Sequence, residues 1–249
     1  RRDRANANFA AHDFLLREVA ARLAERLCDV KHSFPLALDL GCHRGEFAQA
    51  LRAIAGHGVG KLIHSDLSAA MLAHAPSPRL VADEETLPFA PQSLDLVVSL
   101  LNLHWVNDLP GALVQIRRSL KPGGLFLGAM LGGHTLHELR QALSEAEIEV
   151  EGGLSAHVSP FADVRDAGAL LQRAGFAMPV ADVDTISVTY PDPLALMREL
   201  RGMGESNALH MRRRHFLRRQ TLARACLIYR EKFAAPNGRV AASFQLITL

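Results

Sequence analysis

Six residues in the first third of the chain have the types and spacing of a nucleoside site. Asp39 lies in LALDLGCHRG and is followed by Gly41 and Gly45, Asp66 closes KLIHSD, and Asp83 with Glu84 stands in RLVADEE. A glycine turn lets the backbone approach a ligand closely and adopt left-handed conformations that side chains resist. A carboxylate about twenty residues beyond such a turn is placed to accept the hydroxyls of a ribose. The turn reads G-x-x-x-G instead of G-x-G-x-x-G, so its pairing with Asp66 and Asp83 carries the specificity. His43 takes the middle place, and histidine is among the side chains enriched at positive φ, so the turn survives.

Other reactive side chains have weaker patterns. His104 and Trp105 directly follow the aliphatic run LDLVVSL, at the carboxyl end of a strand where a transferred group would sit. His104 is the candidate proton acceptor, and Trp105 reads as packing beneath the helix that starts at Asp108. His134 and His137 share a helical face with Glu138 next to them. The run H-T-L-H-E lacks the H-E-x-x-H spacing and a third donor, so no metal site is assigned. Cys28, Cys42 and Cys226 are odd in number and form no C-x-x-C pair, which predicts reduced thiols. Cys42 reads as a small buried hydrophobe.

These groups meet only if several strands end side by side. The short aliphatic run at 36–40 stops at the glycines and gives way to the helical pattern EFAQALRAI, as a buried parallel strand does. Phe14, Leu15, Val19, Leu23 and Leu27 recur at helical spacing and predict an amphipathic helix over 12–27 that caps the ligand site. Asp108 with Pro110 marks a further helix start, and Asp163 to Gly175 repeats the pattern with a glycine stop. Two largely helical insertions, about 131–160 and 191–235, interrupt the sheet pattern where a substrate chamber would be built. Neither an internal repeat nor a low-complexity linker occurs, so 1–249 reads as one domain.

From Leu36 to its end the chain resembles the class I S-adenosylmethionine-dependent methyltransferases. Asp39, Gly41 and Gly45 match the family's first motif, acidic-x-G-x-G-x-G, with His43 in place of the middle glycine. VADEETLPF matches the segment after the third strand, where an aspartate accepts from the adenine amino group. LDLVVSL and LKPGGLFLGAM match the fourth strand and the turn and strand that follow. The resemblance implies a Rossmann-like α/β fold with a seven-stranded sheet, helices on both faces, and helical insertions over the strand carboxyl ends. The last strand would be antiparallel, at the edge beside the fifth. It implies S-adenosylmethionine as cofactor and S-adenosylhomocysteine as product. The implied binding residues are Asp39, Gly41, Cys42, His43, Gly45, Asp66, Leu67, Met71, Asp83, Glu84 and Ser99.

Methyl transfer from a sulfonium needs alignment and exclusion of water, so neither a triad nor a metal is expected. A carboxylate acceptor needs no base, whereas a hydroxyl or amine would use His104. Two subfamilies are similar to this chain: the biotin-synthesis methyltransferase that esterifies a malonyl carrier protein, and the complex I assembly factors, whose implied activity is hydroxylation of an arginine. LHWVNDLPGAL, GAMLGGHTLHELR, SPFADV and LRGMGESNA look more like the second. The implied partner is a protein substrate, a carrier protein or a complex I subunit. A third reading is a non-catalytic assembly chaperone that keeps the cofactor pocket.

At 249 residues and 49% hydrophobic the chain can bury a large core, and a net charge of +2 demands neither nucleic acid nor an anionic membrane as partner. No apolar run approaches the roughly twenty residues of a membrane span. The start, RRDRANANFAAHDF, lacks an apolar signal core and opens on Arg1 instead of Met, which reads as a trimmed bacterial N-terminus and a cytoplasmic protein. A transit-peptide remnant and the mitochondrial matrix are the alternative. Arg212, Arg213, Arg214, Arg218 and Arg219 crowd HMRRRHFLRRQ, predicting a helix whose basic face is solvated or docks an acidic partner.

Overall fold

The computed structural model describes residues 2–209, 212 and 217–249. Seven strands form one sheet: β1 (Phe34–Leu40), β2 (Val59–Asp66), β3 (Arg79–Val81), β4 (Leu94–Leu100), β5 (Leu120–Leu131), β6 (Asp182–Tyr190) and β7 (Val240–Thr248). Their order is β3-β2-β1-β4-β5-β7-β6, parallel through β5, with β7 antiparallel to both neighbours. The aliphatic runs read from the sequence are the central strands. β4 sends Leu96, Val98 and Leu100 into the core on one face and Val97 into the core on the other, so both faces are covered.

The last strand is antiparallel beside the fifth, as expected, but it is not the edge. β6 pairs with β7 from Asp182 opposite Thr248 to Tyr190 opposite Val240. The reason lies in composition: β6 carries Asp182, Asp184, Thr185, Ser187 and Thr189 and tolerates water, while β7 buries Val240, Ala242, Phe244 and Leu246.

The helices are α1 (Arg2–Ala5), α2 (Phe14–Cys28), α3 (Glu46–Arg52), α4 (Ala69–Leu72), α5 (Leu109–Ser119), α6 (His137–Glu151), α7 (Val164–Arg173), α8 (Pro193–Gly202) and α9 (Arg219–Phe233). Their starts follow the capping signals. Asp108 accepts from the Gly111 N–H, Asp163 from Arg165 and Asp192 from Ala195, each satisfying a first-turn donor. α2 begins where its periodicity predicts, but it does not cap the ligand site. Its stripe of Leu15, Val19, Leu23 and Leu27 is wholly buried on the sheet core. At about 1.5–3 kcal/mol for each large apolar side chain buried, that face determines where the helix goes.

The two insertions pack on each other. α6 and α9 lie together, with Arg224 pairing Glu149 at 2.6 Å and Lys232 pairing Glu145 at 2.6 Å across their exposed edge. Such surface pairs contribute about 0–1 kcal/mol each and mainly set register. The arginine run does not all continue into α9: Arg218 has extended backbone (φ −62°, ψ 143°), and helix begins at Arg219. Arg213 and Arg214 lie outside the described residues.

Candidate active site

The site grows from the turn after β1. Gly41 (φ +68°), His43 (+51°) and Gly45 (+92°) alternate through the left-handed region. The turn is held by the Cys42 N–H on the Ser65 carbonyl (2.9 Å) and the Gly45 N–H on that of Cys42 (2.8 Å). A Cβ on Gly41 would lie 2.1 Å from the Asn102 amide nitrogen, and one on Gly45 would lie 2.7 Å from Pro76 Cδ. Those two positions require glycine for space as well as for conformation. His43 is tolerated because its ring turns inward, stacked on Phe9, with Nε2 3.1 Å from the Leu100 carbonyl oxygen. Burial, reinforced by Arg2, lowers its pKa to about 3, so it is neutral.

Asp66, at the end of β2, is fully buried. It accepts from the backbone N–H of His43 (3.0 Å) and of Ser68 (2.7 Å), and its counter-ion is Arg2 at 3.1 Å. Arg2 also donates to Asn102, and the Ser68 hydroxyl donates to Asp3, so α1 is clasped over this end of the sheet. The element above the cleft is therefore α1, not the helix at 12–27. Asn102 in turn donates to Glu84 at 2.7 Å, and burial holds the Glu84 carboxyl above the usual carboxylate range. A cavity of about 330 Å³ opens among these groups, lined by Arg2, Ser68, Asp83, Glu84, Asn102 and Trp105, with Leu67 at its rim.

Of the residues singled out from sequence, Leu67, Asp83 and Glu84 line this cavity, and Asp66 sits beneath it. Others belong to the scaffold. The Ser99 hydroxyl is committed to the Leu40 carbonyl (3.0 Å) inside the sheet, Met71 is buried in the core, and Cys42 packs with Leu72 and Ala75. Burial pushes the Cys42 thiol far up, consistent with a buried hydrophobe. Asp39 is fully buried and, among the described residues, neither of its carboxyl oxygens has a hydrogen-bond partner. Burial holds its pKa well above the usual range.

His104 does not line the cavity. Its side chain is 1% exposed, between Trp105 and Phe161, with Nε2 3.4 Å from Glu205. Trp105, read as packing under α5, instead forms the wall between the first cavity and a second of about 260 Å³. The second is mostly apolar and is lined from both insertions, by Leu136, Leu139 and Leu143 around α6, Met197 and Leu200 of α8, and Phe161. His134 and His137 lie elsewhere, with the His137 Nδ1 3.3 Å from the His134 carbonyl. Among the described residues no His, Cys, Asp and Glu cluster suited to a metal occurs. Sequence reading missed Arg2, Asn102 and Glu205. Asn102 had a signal, its place just after β4, whereas Arg2 and Glu205 reach the site only through folding.

A mixed sheet of this order, parallel from β3 to β5, with a glycine turn and acidic strand ends at its carboxyl edge, defines a nucleoside-binding α/β protein. A methyltransferase domain family matches residues 38–128. The chain is 46% identical over 241 residues to the mitochondrial arginine-hydroxylase NDUFAF5 of Danio rerio, covering 95% of this chain and 74% of that protein. It is 39% identical to the malonyl-[acyl-carrier protein] O-methyltransferase of Halorhodospira halophila, covering 94% and 79%. A methyltransferase structure from Bacillus halodurans superposes with a TM-score of 0.61 at 16% identity, covering 92% of this chain and 96% of that one, and shows the shared fold. The chain belongs to the class I S-adenosylmethionine-dependent methyltransferases, and its cofactor is S-adenosylmethionine.

Proposed function

We propose that this chain binds S-adenosylmethionine between the Gly41–Gly45 turn, Asp66 and Asp83–Glu84, and transfers its methyl group to an acceptor that a protein partner presents in the apolar chamber. The observation that carries the reading is the shared wall: Trp105 lines both cavities, so a cofactor in one and an acceptor in the other would meet at its edge. The donor set suits the cofactor. Asp66, now covered by Arg2, would accept ribose hydroxyls once Arg2 is displaced, Asp83 and Glu84 offer acceptors for an adenine amino group, and the glycines allow close backbone approach. The buried carboxyl of Asp39, partnerless among the described residues, suits a cationic ammonium group.

S-adenosylmethionine supplies a methyl group on a sulfonium centre. The chain's own part is to align the acceptor, keep water out with the apolar walls, and hold His104 behind Trp105, where it supports the wall. A second reading, hydroxylation of an arginine side chain, is favoured by the 46% identity to proteins named arginine hydroxylases, against 39% to a malonyl-carrier methyltransferase. The mitochondrial relatives support a mitochondrial compartment over the cytoplasm.

Incubation of this chain and the protein it captures with methyl-labelled S-adenosylmethionine, dioxygen and a two-electron reductant, followed by mass spectrometry, tests both, since hydroxylation takes its oxygen atom from an external oxidant. A labelled methyl on the captured protein supports the first reading, and an added oxygen on an arginine without label supports the second. A captured protein that gains neither would overturn both.

A further inference from the structure

The wall between the two cavities is held by Glu205, which itself lines the second. Both Glu205 carboxylate oxygens accept from the Trp105 indole N–H, at 3.0 and 3.1 Å, and one lies 3.4 Å from His104 Nε2. Glu205 is itself fixed by the end of α8. Its N–H donates to the Leu200 carbonyl (2.8 Å) and the Gly204 N–H to that of Arg201 (3.2 Å), with Gly204 at φ +80°. Those paired bonds with a left-handed glycine are the Schellman termination, which leaves the following residue little freedom. A Cβ on Gly204 would touch Ala5 at 3.4 Å, so the same corner abuts α1, the helix whose Arg2 pairs Asp66.

We infer that Glu205 is a positioning residue: presented by the α8 terminus, it sets the Trp105 indole as the partition between cofactor pocket and chamber, and so couples the two. This rests on the reading of the second cavity as the acceptor chamber. An indole donor shared by two carboxylate oxygens is a charge-assisted contact in a largely buried place, and loss of the carboxylate removes it. Movement of α8 on filling of the chamber would then reach the cofactor pocket through Trp105.

Trp105 is the chain's only tryptophan, so its fluorescence reports the partition alone. The test compares the wild type with Glu205→Met, which keeps side-chain length without an acceptor, and with Glu205→Gln, which restores one. Removal of the bond should raise the acrylamide quenching of Trp105 in Glu205→Met and abolish the emission change on S-adenosylhomocysteine titration. Glu205→Gln should recover most of the wild-type signal. Calorimetric affinity for S-adenosylhomocysteine should stay within about threefold in both variants, since Glu205 does not line that pocket. Quenching in Glu205→Met equal to wild type, or no recovery in Glu205→Gln, would overturn the inference. Failure of the wild type to bind S-adenosylhomocysteine would instead overturn the cofactor-site reading, and the quenching comparison without ligand would still judge Glu205.

Discussion

Asp66 shows how one side chain can hold a turn and, in the proposed function, a ligand as well. Two backbone N–H groups fix its carboxylate at the end of β2, so its remaining acceptor capacity points in a set direction and is balanced by Arg2. Asp66→Asn should weaken S-adenosylhomocysteine binding by about 1.5–3 kcal/mol through loss of charge-assisted hydrogen bonds. Calorimetry with unchanged affinity would remove Asp66 from the site. Gly41→Ala should do more harm, because the methyl collides with Asn102 and the residue must stay at φ +68°. The glycines and acids were legible because each is a local requirement of the turn. The counter-ion Arg2, the bridging Asn102 and the inward turn of the His43 ring were not, since each is settled by contacts with residues far along the chain.

Elements were legible where periodicity and end signals agree. The central strands are short aliphatic runs, and α5 and α7 begin at Asp residues whose side chains cap them, whereas the Asp192 cap of α8 lies inside an insertion that reads only as largely helical. Destination was harder to read than type. The pattern of α2 shows that it buries a stripe, not that the stripe lies on the sheet away from the ligand. The outer place of β6 depends on a pairing with β7 formed across the whole second insertion. The insertions themselves divide in two. α6 buries Leu139, Ala142 and Ala146 against the core and α9, while residues 153–163 have no regular backbone hydrogen bonding beside the chamber. Hydrogen exchange should therefore find amides in 153–163 at least about a hundredfold faster than those of α6, with protection gained when an acceptor protein binds. Equal protection of 153–163 and α6 would show that this border does not open.

At the scale of the whole molecule, a net charge of +2 conceals carboxyls that folding takes out of water. The pattern EFAQALRAI places Glu46 in the first turn of a helix, where an acid is ordinarily solvated and favoured by the helix dipole. The fold instead buries it near Asp39, and burial raises its pKa to about 7 while the Arg44 N–H (3.0 Å) stabilises the charged form only in part. A folded-state value above the unfolded one means that the native protein holds this proton more tightly, so stability falls as pH rises from about 4.5 through 7. Asp39 acts in the same sense. His43, held neutral down to about pH 3, acts in the opposite sense, removing stability as pH falls below 6.5. Comparison of Glu46→Gln with the wild type isolates the Glu46 contribution. The variant should be more stable by about 3 kcal/mol at pH 8, where the wild type carries a buried charge, and nearly equal at pH 4, where Glu46 is protonated in both states. Urea unfolding at the two pH values measures this. An equal gain at both would assign the effect to packing, and no gain at pH 8 would mean that Glu46 is solvated in the native protein.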